Sequence, residues 1–392
     1  MKLPFSLPRR RPVADRLSAF DRAVPETKAH GSLFGFTLTS GGAWPEKSYA
    51  GLAREGYMRN AVAHRAIRLI VEAAASVPFI VTVDDAEAPD HAVASLLANP
   101  NPRQGGADLF EALYSHLLIA GNAYLLPAMA GRRPMELHLL RPDRVRIRDN
   151  DEGWPEAYDY TSGGRVMRYA AEGEGALLHM RLFHPLDDQL GYPPLAAASG
   201  ALDLSNAANL WNKALIDNSA RPSGALVYQP KEGGNLSPDQ YDRLKAELAE
   251  GYSGPARAGR PMLLEGGLDW KAMGLSPREM DFMEARNGAA RDIALALGVP
   301  PMLLGLPGDN TYANYAEANR AFWRLTVLPL IGRTANALSG WFAAMTGEGL
   351  RLAHDLDQVP GLSLERDALW ARVGAAGFLT DAEKREAVGY GG

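Results

Sequence analysis

The chain has 392 residues, of which 46% are hydrophobic and 22% are charged, and it contains no cysteine. This length exceeds what one ordinary core requires, so two or three structural units are expected, and the absence of cysteine excludes disulfides and thiolate metal sites. The formal net charge of -5 argues against a repressor or a histone-like protein, because neutralised phosphates supply most of the non-specific affinity for nucleic acid.

The first half of the chain predicts a mixture of helices and strands. Residues 1–57 are rich in proline, glycine and arginine with little periodicity, and we expect a partly ordered arm there. Apolar residues recur at spacings of three and four over residues 58–75, which predicts a helix. Residues 77–83 predict the first strand, and further short strands are expected at 123–129, 137–140, 145–148, 166–169 and 177–182.

The longest uncharged stretch, residues 112–130, is close to the length of a membrane span. Gly121 and Asn122 interrupt it, and both residues are typical of turns and helix ends. We therefore interpret this stretch as a buried helix that ends at Gly121 and continues as a strand, and we expect no membrane partner.

The second half predicts mainly helices. Residues 194–220 predict one helix, and residues 224–228 predict a strand. Residues 261–265 and 269–273 flank two glycines and predict a hairpin.

Two capping boxes mark helix starts in this half. Ser237 begins the sequence Ser-Pro-Asp-Gln, and Ser276 begins Ser-Pro-Arg-Glu. In each, the serine caps the helix, proline takes the first helical position, and the fourth residue reaches back. Gly298 should end the second helix, since two prolines follow shortly after it. The buried stripe of the first helix is expected to contain Tyr241, Leu244 and Leu248.

Residues 311–345 predict a helix of about 34 residues, roughly 50 Å long if continuous. Pro329 lies inside it and predicts a kink near Leu325, because proline removes one hydrogen bond of the helix and clashes with the carbonyl four residues earlier. Such a long helix is uncommon in compact enzymes. The last 40 or so residues predict two short helices.

Motifs for known chemistry are largely missing from the sequence. There is no Gly-Lys dipeptide, so no phosphate loop of the Walker type, and neither a nucleophile elbow nor a His-Glu-x-x-His motif occurs. His179 and His184 are five residues apart in an expected strand, so they should point to opposite faces and not form a metal pair. We predict no catalytic residue, no metal and no cofactor.

Two loops keep alternative interpretations open. Asp187 and Asp188 could bind a cation or pair with arginine, or they could form a solvated turn. The loop that precedes the long helix could hold a phosphate on its backbone N–H groups, or it could be an ordinary connection that caps the helix. Its residues are Gly305, Leu306, Pro307, Gly308, Asp309, Asn310 and Thr311.

Seven short motifs resemble the portal proteins of long-tailed double-stranded DNA phages, including those of gene transfer agents. Each is weak singly, but they occur in the order that the family has, and they cover about residues 58–345. The motifs are Asn-Pro-Asn at 99–101, Gly-Asn-Ala-Tyr-Leu at 121–125, Gly-Tyr-Pro-Pro-Leu at 191–195, Arg-Pro-Ser-Gly at 221–224, Leu-Glu-Gly-Gly at 264–267, Gly-Val-Pro-Pro-Met-Leu-Leu-Gly at 298–305 and Thr-Tyr-Ala-Asn at 311–314.

The resemblance implies an α+β portal fold with a wing, a two-helix stem, an α/β clip, a tunnel loop with a long kinked helix, and a short helical crown. The loop at residues 305–311 would project into a DNA channel, with the kink at Pro329 behind it. The implied divisions are 1–57 arm, 58–193 wing, 194–220 first stem helix, 221–275 clip, 276–298 second stem helix, 299–352 tunnel loop and kinked helix, and 353–392 crown.

The resemblance also implies partners. Subunits of this family form rings of twelve at one capsid vertex, and double-stranded DNA passes through without sequence-specific contact. The expected protein partners are the major capsid protein, the large terminase and a head-completion or tail adaptor. The protein would be made in the bacterial cytoplasm and end in the virion or phage-like particle.

Two other classes of function stay open at this point. One is a different particle component, such as an adaptor or scaffold, which would assemble but would lack a kinked helix facing a pore. The other is an unrecognised hydrolase built around Asp187, Asp188 and His184, which would be a monomer or dimer with a deep polar pocket.

Overall fold

The computed structural model describes residues 48–217, 224–228, 237–243, 246, 268–272, 282–306 and 312–389. They belong to one unit that spans residues 44–392. Residues 1–47, which include most of the predicted arm, lie outside the described residues.

The chain enters the described part through a short helix, α1 (Tyr49–Gly51), which continues as a π-helical segment (Leu52–Met58). The predicted helix at 58–75 is confirmed as α2 (Ala61–Ala75). It begins three residues later than predicted because the Asn60 side chain caps it, accepting hydrogen bonds of 3.1 Å from the N–H groups of Val62 and Ala63.

The uncharged stretch at 112–130 folds as a helix followed by a strand, as predicted. The helix α4 (Gly106–Ala120) follows α3 (Ala92–Ala98) and ends at Gly121, whose φ is +72°. The strand that starts at Asn122 is buried for its first four residues. No helix among the described residues is long and apolar enough to cross a membrane.

The strands of the first half pair antiparallel throughout. Two sheets have the strand orders β4-β3-β8 and β5-β6-β7, and β1 pairs with the two-residue strand β2. All six predicted strands occur, whereas β2 and β6 were not predicted. The strands are β1 (Phe79–Val83), β2 (Ala86–Glu87), β3 (Asn122–Ala130), β4 (Arg133–Leu140), β5 (Val145–Asp149), β6 (Pro155–Ser162), β7 (Arg165–Ala170) and β8 (Leu178–Arg181).

The helix predicted at 194–220 is two helices, α5 (Pro194–Ala197) and α6 (Ser199–Asp217). The prediction of one helix was wrong at Ala198, where φ is -87° and ψ is 6°. At that position the N–H of Ala198 bonds to the carbonyl of Leu195, three residues back, so the turn is tighter than an α-helix. Residues 218–220 lie outside the described residues.

The segment between the two long helices contains a two-stranded sheet. β9 (Gly224–Tyr228) pairs antiparallel with β10 (Leu268–Ala272), while the predicted hairpin partner at 261–265 lies outside the described residues.

A helix α7 begins at residue 238 and includes residues 238–243. The capping box is confirmed, because Ser237 N–H donates to Gln240 Oε1 at 3.0 Å and Gln240 N–H donates to Ser237 Oγ at 3.3 Å. The predicted burial of Tyr241 was wrong, since half of it is exposed, and Leu244 and Leu248 lie outside the described residues.

The helix α8 (Phe282–Ala296) ends as predicted near Gly298, whose φ is +69°. Ala290, Ile293, Ala294 and Leu297 are buried. The second capping box, at 276–279, lies outside the described residues. A 3₁₀ turn (Pro301–Leu304) follows, because the two prolines prevent continuation of the helix.

The long helix is present from Tyr312 to Thr346, in three parts. They are α9 (Tyr312–Phe322), a π-helical segment (Trp323–Val327) and α10 (Leu328–Thr346). The π-helical segment contains Leu325, near which proline was expected to disturb the helix, and the N–H of Leu328 bonds five residues back to Trp323. The kink at Pro329 itself stays a prediction.

The end of the chain returns to the first sheet. β11 (Leu350–His354) pairs antiparallel with β1 along the full length of both strands, so the sheet order is β11-β1-β2. This strand was not predicted, and the expected division between residues 352 and 353 falls inside it. The two predicted terminal helices are confirmed as α11 (Ser363–Ala375) and α12 (Asp381–Ala387).

One hydrophobic core runs through most of these elements. It includes Leu113 of α4, Leu202 of α6, Ile293 of α8, Phe342 of α10 and Leu352 of β11. A smaller cluster lies between the two sheets of the first half, formed by Tyr124, Leu140, Tyr158 and Leu177. The α+β class is confirmed.

Candidate functional site

A buried polar network joins the start of α2 to α6. Asn60 Nδ2 lies 3.1 Å from both Ser205 Oγ and Asn206 Oδ1, and it donates to them. Asn206 Nδ2 in turn donates to the carbonyl of Glu55 at 2.8 Å. All three polar side chains are buried, and because each has partners, none incurs the cost of an unsatisfied buried group. The network fixes the position of α6 relative to the first-half core.

The helices α6 and α8 pack against each other. The side facing the core carries Leu202, Ala290, Ile293 and Ala294. The small alanines allow close approach of the two helices. Other apolar residues on the same helices remain solvent-exposed in the single chain: Leu204, Leu210 and Leu295.

The end of α8 is tied to the middle of the long helix. The Thr326 hydroxyl, in the π-helical segment, donates a hydrogen bond of 2.6 Å to the carbonyl of Gly298. A Cβ at position 298 would lie 2.7 Å from that hydroxyl oxygen, and the positive φ already disfavours other residues. Glycine is therefore required here both by conformation and by the close contact.

Only the first part of the predicted tunnel loop falls in the described residues. Gly305 N–H donates to the carbonyl of Met302, and Leu306 N–H donates to that of Pro301, each at 3.2 Å. The loop thus starts from a fixed turn. Pro307, Gly308, Asp309, Asn310 and Thr311 lie outside the described residues.

The π-helical segment also contacts the C-terminal helices. The ring of Trp323 packs directly on Gly361. Glu365, in the first turn of α11, forms ion pairs with Arg320 at 3.0 Å and with Arg324. The long helix is therefore held near its midpoint from two sides, by Gly298 and by the segment that starts at Gly361.

Two of the sequence motifs meet in space. The N–H of Gly191 donates to Asn122 Oδ1 at 2.8 Å, and the N–H of Leu182 donates to the carbonyl of Gly121. A side chain on Gly121, with its positive φ, would collide with the carbonyl of Gly191. The motifs at 121–125 and 191–195 thus build one junction between α4, β3 and the start of α5.

The motif at 99–101 is also structural. Asn101 Nδ2 donates to the carbonyl of Leu137 at 3.0 Å, and the N–H of Leu137 donates to the carbonyl of Pro100 at 2.7 Å. These bonds attach the loop after α3 to β4.

The residues of the hydrolase alternative form a structured turn. Asp187 Oδ1 accepts from the N–H groups of Leu190 and Gln189, both at 2.8 Å, and these bonds lower the pKa of Asp187 below its ordinary value. His184 Nδ1 accepts from the N–H of Leu186, and Asp188 offers its backbone carbonyl to Arg181. These contacts give Asp187 and His184 a structural role, since both hold the backbone of the loop in place.

The two histidines do not share a strand, contrary to the expectation. His179 lies in β8, whereas His184 lies beyond its end. His179 is stacked on Tyr124 with 4.4 Å between ring centroids, and its Nε2 is 2.9 Å from Asn122 Oδ1. Burial lowers the pKa of His179 to about 4, so the ring is neutral at pH 7.

Among the described residues, no group of three or more histidine, aspartate and glutamate side chains is placed to hold a metal ion. A surface groove near β4 is lined by Asn99, Asn101, Arg103, Gln104, Met135 and Glu136 among others. Apart from Met135, the named side chains are hydrogen-bonding groups, and they include no nucleophile–base pair.

Sequence reasoning missed several of these contacts. The capping role of Asn60 could have been predicted, because asparagine is a preferred helix cap and Asn60 directly precedes an amphipathic run. Thr326, Gly361 and Glu365 had none, since their partners lie far away in sequence.

Comparison with known proteins identifies the family. A model of the family described as phage portal protein matches residues 61–389. The chain is 39% identical over 340 residues to an uncharacterized protein of Rickettsia bellii (strain RML369-C), covering 86% of this chain and 88% of that protein.

Two solved structures are similar over most of the chain. One is the neck of an empty gene transfer agent particle computed with C6 symmetry, with 52% identity and a TM-score of 0.72. The other is the neck of the native particle computed with C12 symmetry, with 51% identity and a TM-score of 0.69. Each match covers 88% of this chain and 94% of the other.

The family match and the two particle structures place this fold in a class of structural components of phage-type particles. The chain belongs to the phage portal protein family. The resemblance inferred from the seven motifs is confirmed.

Proposed function

We propose that this protein is a portal subunit that forms a closed ring of twelve at one vertex of a phage or gene transfer agent particle. One observation carries the proposal: the chain is 51% identical, over 88% of its length, to a chain in a particle neck computed with C12 symmetry. A closed ring needs head-to-tail contacts between copies, so some apolar surface of each subunit must be exposed when it is alone. The exposed Leu204, Leu210 and Leu295 fit this requirement.

The ring would be the channel through which double-stranded DNA is packaged and ejected. A net charge of -5 suits a wall past which DNA slides, since strong phosphate binding would retain it. The protein would have no catalytic site of its own, and a separate ATP-driven motor, the large terminase, would supply the work. Further partners would be the major capsid protein and a head-completion or tail adaptor, with the virion or particle as its final location.

We assign the parts of the subunit as follows. The first-half core with its three sheets, including β11, forms the wing; α6 and α8 form the stem; and β9, α7 and β10 belong to the clip. The loop of residues 305–311 is the tunnel loop, held by the turn at Gly305 on one side and by the long helix on the other. α11 and α12 form the crown.

Electron microscopy of the purified full-length protein tests the ring. Class averages along the particle axis should show about twelve subunits around a pore wider than a DNA duplex. A monomer or dimer both alone and in particles would contradict the proposal. Rings that lack a through-going pore would favour an adaptor or scaffold instead.

Deletion of residues 308–310 tests the tunnel loop. Rings should form at the yield of the unmodified protein, while DNA packaging or retention in particles falls. Particles with a normal DNA content would remove the loop from the mechanism and leave the ring intact.

A further inference from the structure

The sheet β5-β6-β7 has ends of opposite character. At one end, the turn between β5 and β6 carries Asp151, Glu152 and Trp154, and the loop after β8 lies next to it because Gln189 Nε2 donates to the carbonyl of Gly153. Phe183 and Leu186 of this loop are 81% and 92% exposed, and Trp154 is 68% exposed. We call this surface, made of Asp151, Glu152, Trp154, Phe183 and Leu186, the acidic end.

The acidic end is held in a fixed shape. Asn150 Oδ1 accepts from the N–H groups of Glu152 and Trp154, at 3.0 and 2.9 Å. Asp187 and His184 shape the neighbouring loop through the bonds described above. Because both loops are ordered by their own side chains, docking a partner costs little conformational entropy.

The opposite end of the sheet is basic. Arg146, Arg165 and Arg168 are exposed there, beside the exposed Val166 and Met167. The register sets Arg146 opposite Asp159, and Arg168 opposite the same residue on its other side. Arg146, Val166 and Arg168 share the face of Asp159, whereas Arg165 and Met167 lie on the other face of the sheet. We call this set of five residues, which spans both faces towards this end of the sheet, the basic end.

Asp159 fixes the positions of two arginines but does not neutralise all the positive charge of the basic end. Its carboxylate is buried beneath two guanidinium groups, with Arg168 Nε at 2.7 Å and Arg148 Nε at 2.6 Å. Arg146 and Arg165 make no ion pair within the described part of the chain, and neither do Asp151 and Glu152. Two free positive charges thus lie at one end of the sheet and two free negative charges at the other.

We propose that the acidic end of one subunit docks on the basic end of the next copy in the ring. Arg165 lies at the far end of the eight-residue β6, roughly 25 Å from the acidic turn, whereas Arg146 and Arg168 lie opposite Asp159, roughly half as far from it. Within the described residues, none of the three arginines forms an ion pair with Asp151 or Glu152. Each end pairs apolar side chains with charges of one sign, and the two ends are complementary in both respects. Two distinct, complementary surfaces on one subunit generate a head-to-tail contact, which is the type that closes into a ring. The inference rests on the proposed ring and assigns one of its interfaces.

Charge reversal in the full-length protein tests the interface. One double variant, Arg146→Glu with Arg165→Glu, reverses the charge of the basic end. The other, Asp151→Arg with Glu152→Arg, reverses the charge of the acidic end. Each pair places like charges across the contact, so assembly should require about tenfold or more higher protein concentration. All four substitutions in one chain restore opposite charges and should restore rings, and so should a mixture of the two pairs. Light scattering after size exclusion measures the assembled fraction.

The control is Arg372→Glu with Arg385→Glu, which makes the same charge change on exposed residues of α11 and α12 and should leave assembly unchanged. Circular dichroism checks that each variant folds.

If the unmodified protein forms rings and both reversed pairs do so equally well, the interface is wrong and the proposed function stands. If rings persist but the reversed pairs fail to enter particles, the surface binds another particle protein, which also overturns the inference. If the unmodified protein forms no rings in any setting, the proposed function falls with it.

Discussion

The hydroxyl of Thr326 donates a 2.6 Å hydrogen bond to the carbonyl oxygen of Gly298. This bond joins the turn just after α8 to the π-helical segment of the long helix, across 28 residues of chain. The predicted tunnel loop lies between these two points in sequence. The segment that contains the loop, residues 299–325, is therefore anchored by one hydrogen bond between the residues that flank it.

Gly298→Ala should destabilise the protein by about 1–3 kcal/mol. Alanine disfavours the positive φ, and its Cβ would crowd the Thr326 hydroxyl at 2.7 Å. Denaturant unfolding followed by circular dichroism measures the change. Gly288→Ala in the same helix is the control, because a Cβ there meets nothing within 4 Å and alanine favours helix, so it should be neutral or slightly stabilising. Equal stability of both variants would refute the strain at Gly298.

Asn60→Ala should cost about 2–3 kcal/mol of unfolding free energy. It removes the cap of α2 and leaves Ser205 and Asn206 without their donor inside the core. Thr380→Ala is the matched control, because it removes an exposed cap, that of α12, and should cost about 1 kcal/mol or less. Urea titrations of the three proteins decide the comparison, and a similar loss for both variants would show that the buried network contributes nothing beyond capping.

Pro329→Ala should convert the π-helical segment to regular α-helix. Residue 329 would gain an N–H that can bond to the carbonyl of Leu325. A π-helical segment holds one residue more than the α-helix would, so its conversion would rotate α9 by about 100° relative to α10. The ion pairs of Arg320 and Arg324 with Glu365 would then be lost. A structure of the variant tests this directly. An unchanged segment would show that the packing of Trp323 on Gly361, and not proline, sets its geometry.

Acid should destabilise the protein through His179. Its pKa of about 4 in the fold is lower than the ordinary value of 6.5, because burial disfavours the charged ring. The unfolded chain therefore binds the proton more readily, so the stability associated with this residue is complete above pH 6.5 and decreases as the pH falls towards 4. His179→Gln should flatten the pH dependence of unfolding in this window. Parallel curves of unfolding free energy against pH for the two proteins would exclude His179 as a source of the acid destabilisation.

Local signals in the sequence predicted local structure well. The capping box at Ser237 and the helix end at Gly298 were confirmed, because each depends on residues within four positions. The helix-to-strand change at Gly121 was likewise confirmed.

The missed elements depend on distant partners. β6 contains Asp159, a residue that strands disfavour and that is stabilised by Arg148 and Arg168 on the neighbouring strands. β11 has only five residues, two of them charged or polar, and its position is determined by pairing with β1. The candidate site shows the same contrast. The long helix was predicted from the sequence and is confirmed, whereas the contacts of Thr326 and Glu365 that hold it could not be predicted.

The pairing of β1 with β11 has a consequence for synthesis of the protein. Val83 pairs with Leu350, so the two strands leave the ribosome roughly 15 to 50 s apart at the usual rates of translation. During that time β1 can pair only with the two-residue β2, and its other edge is an open template for wrong partners. The first sheet is therefore completed only when almost the whole chain has been made, and the edge of β1 that β11 will cover stays unpaired by β11 until then.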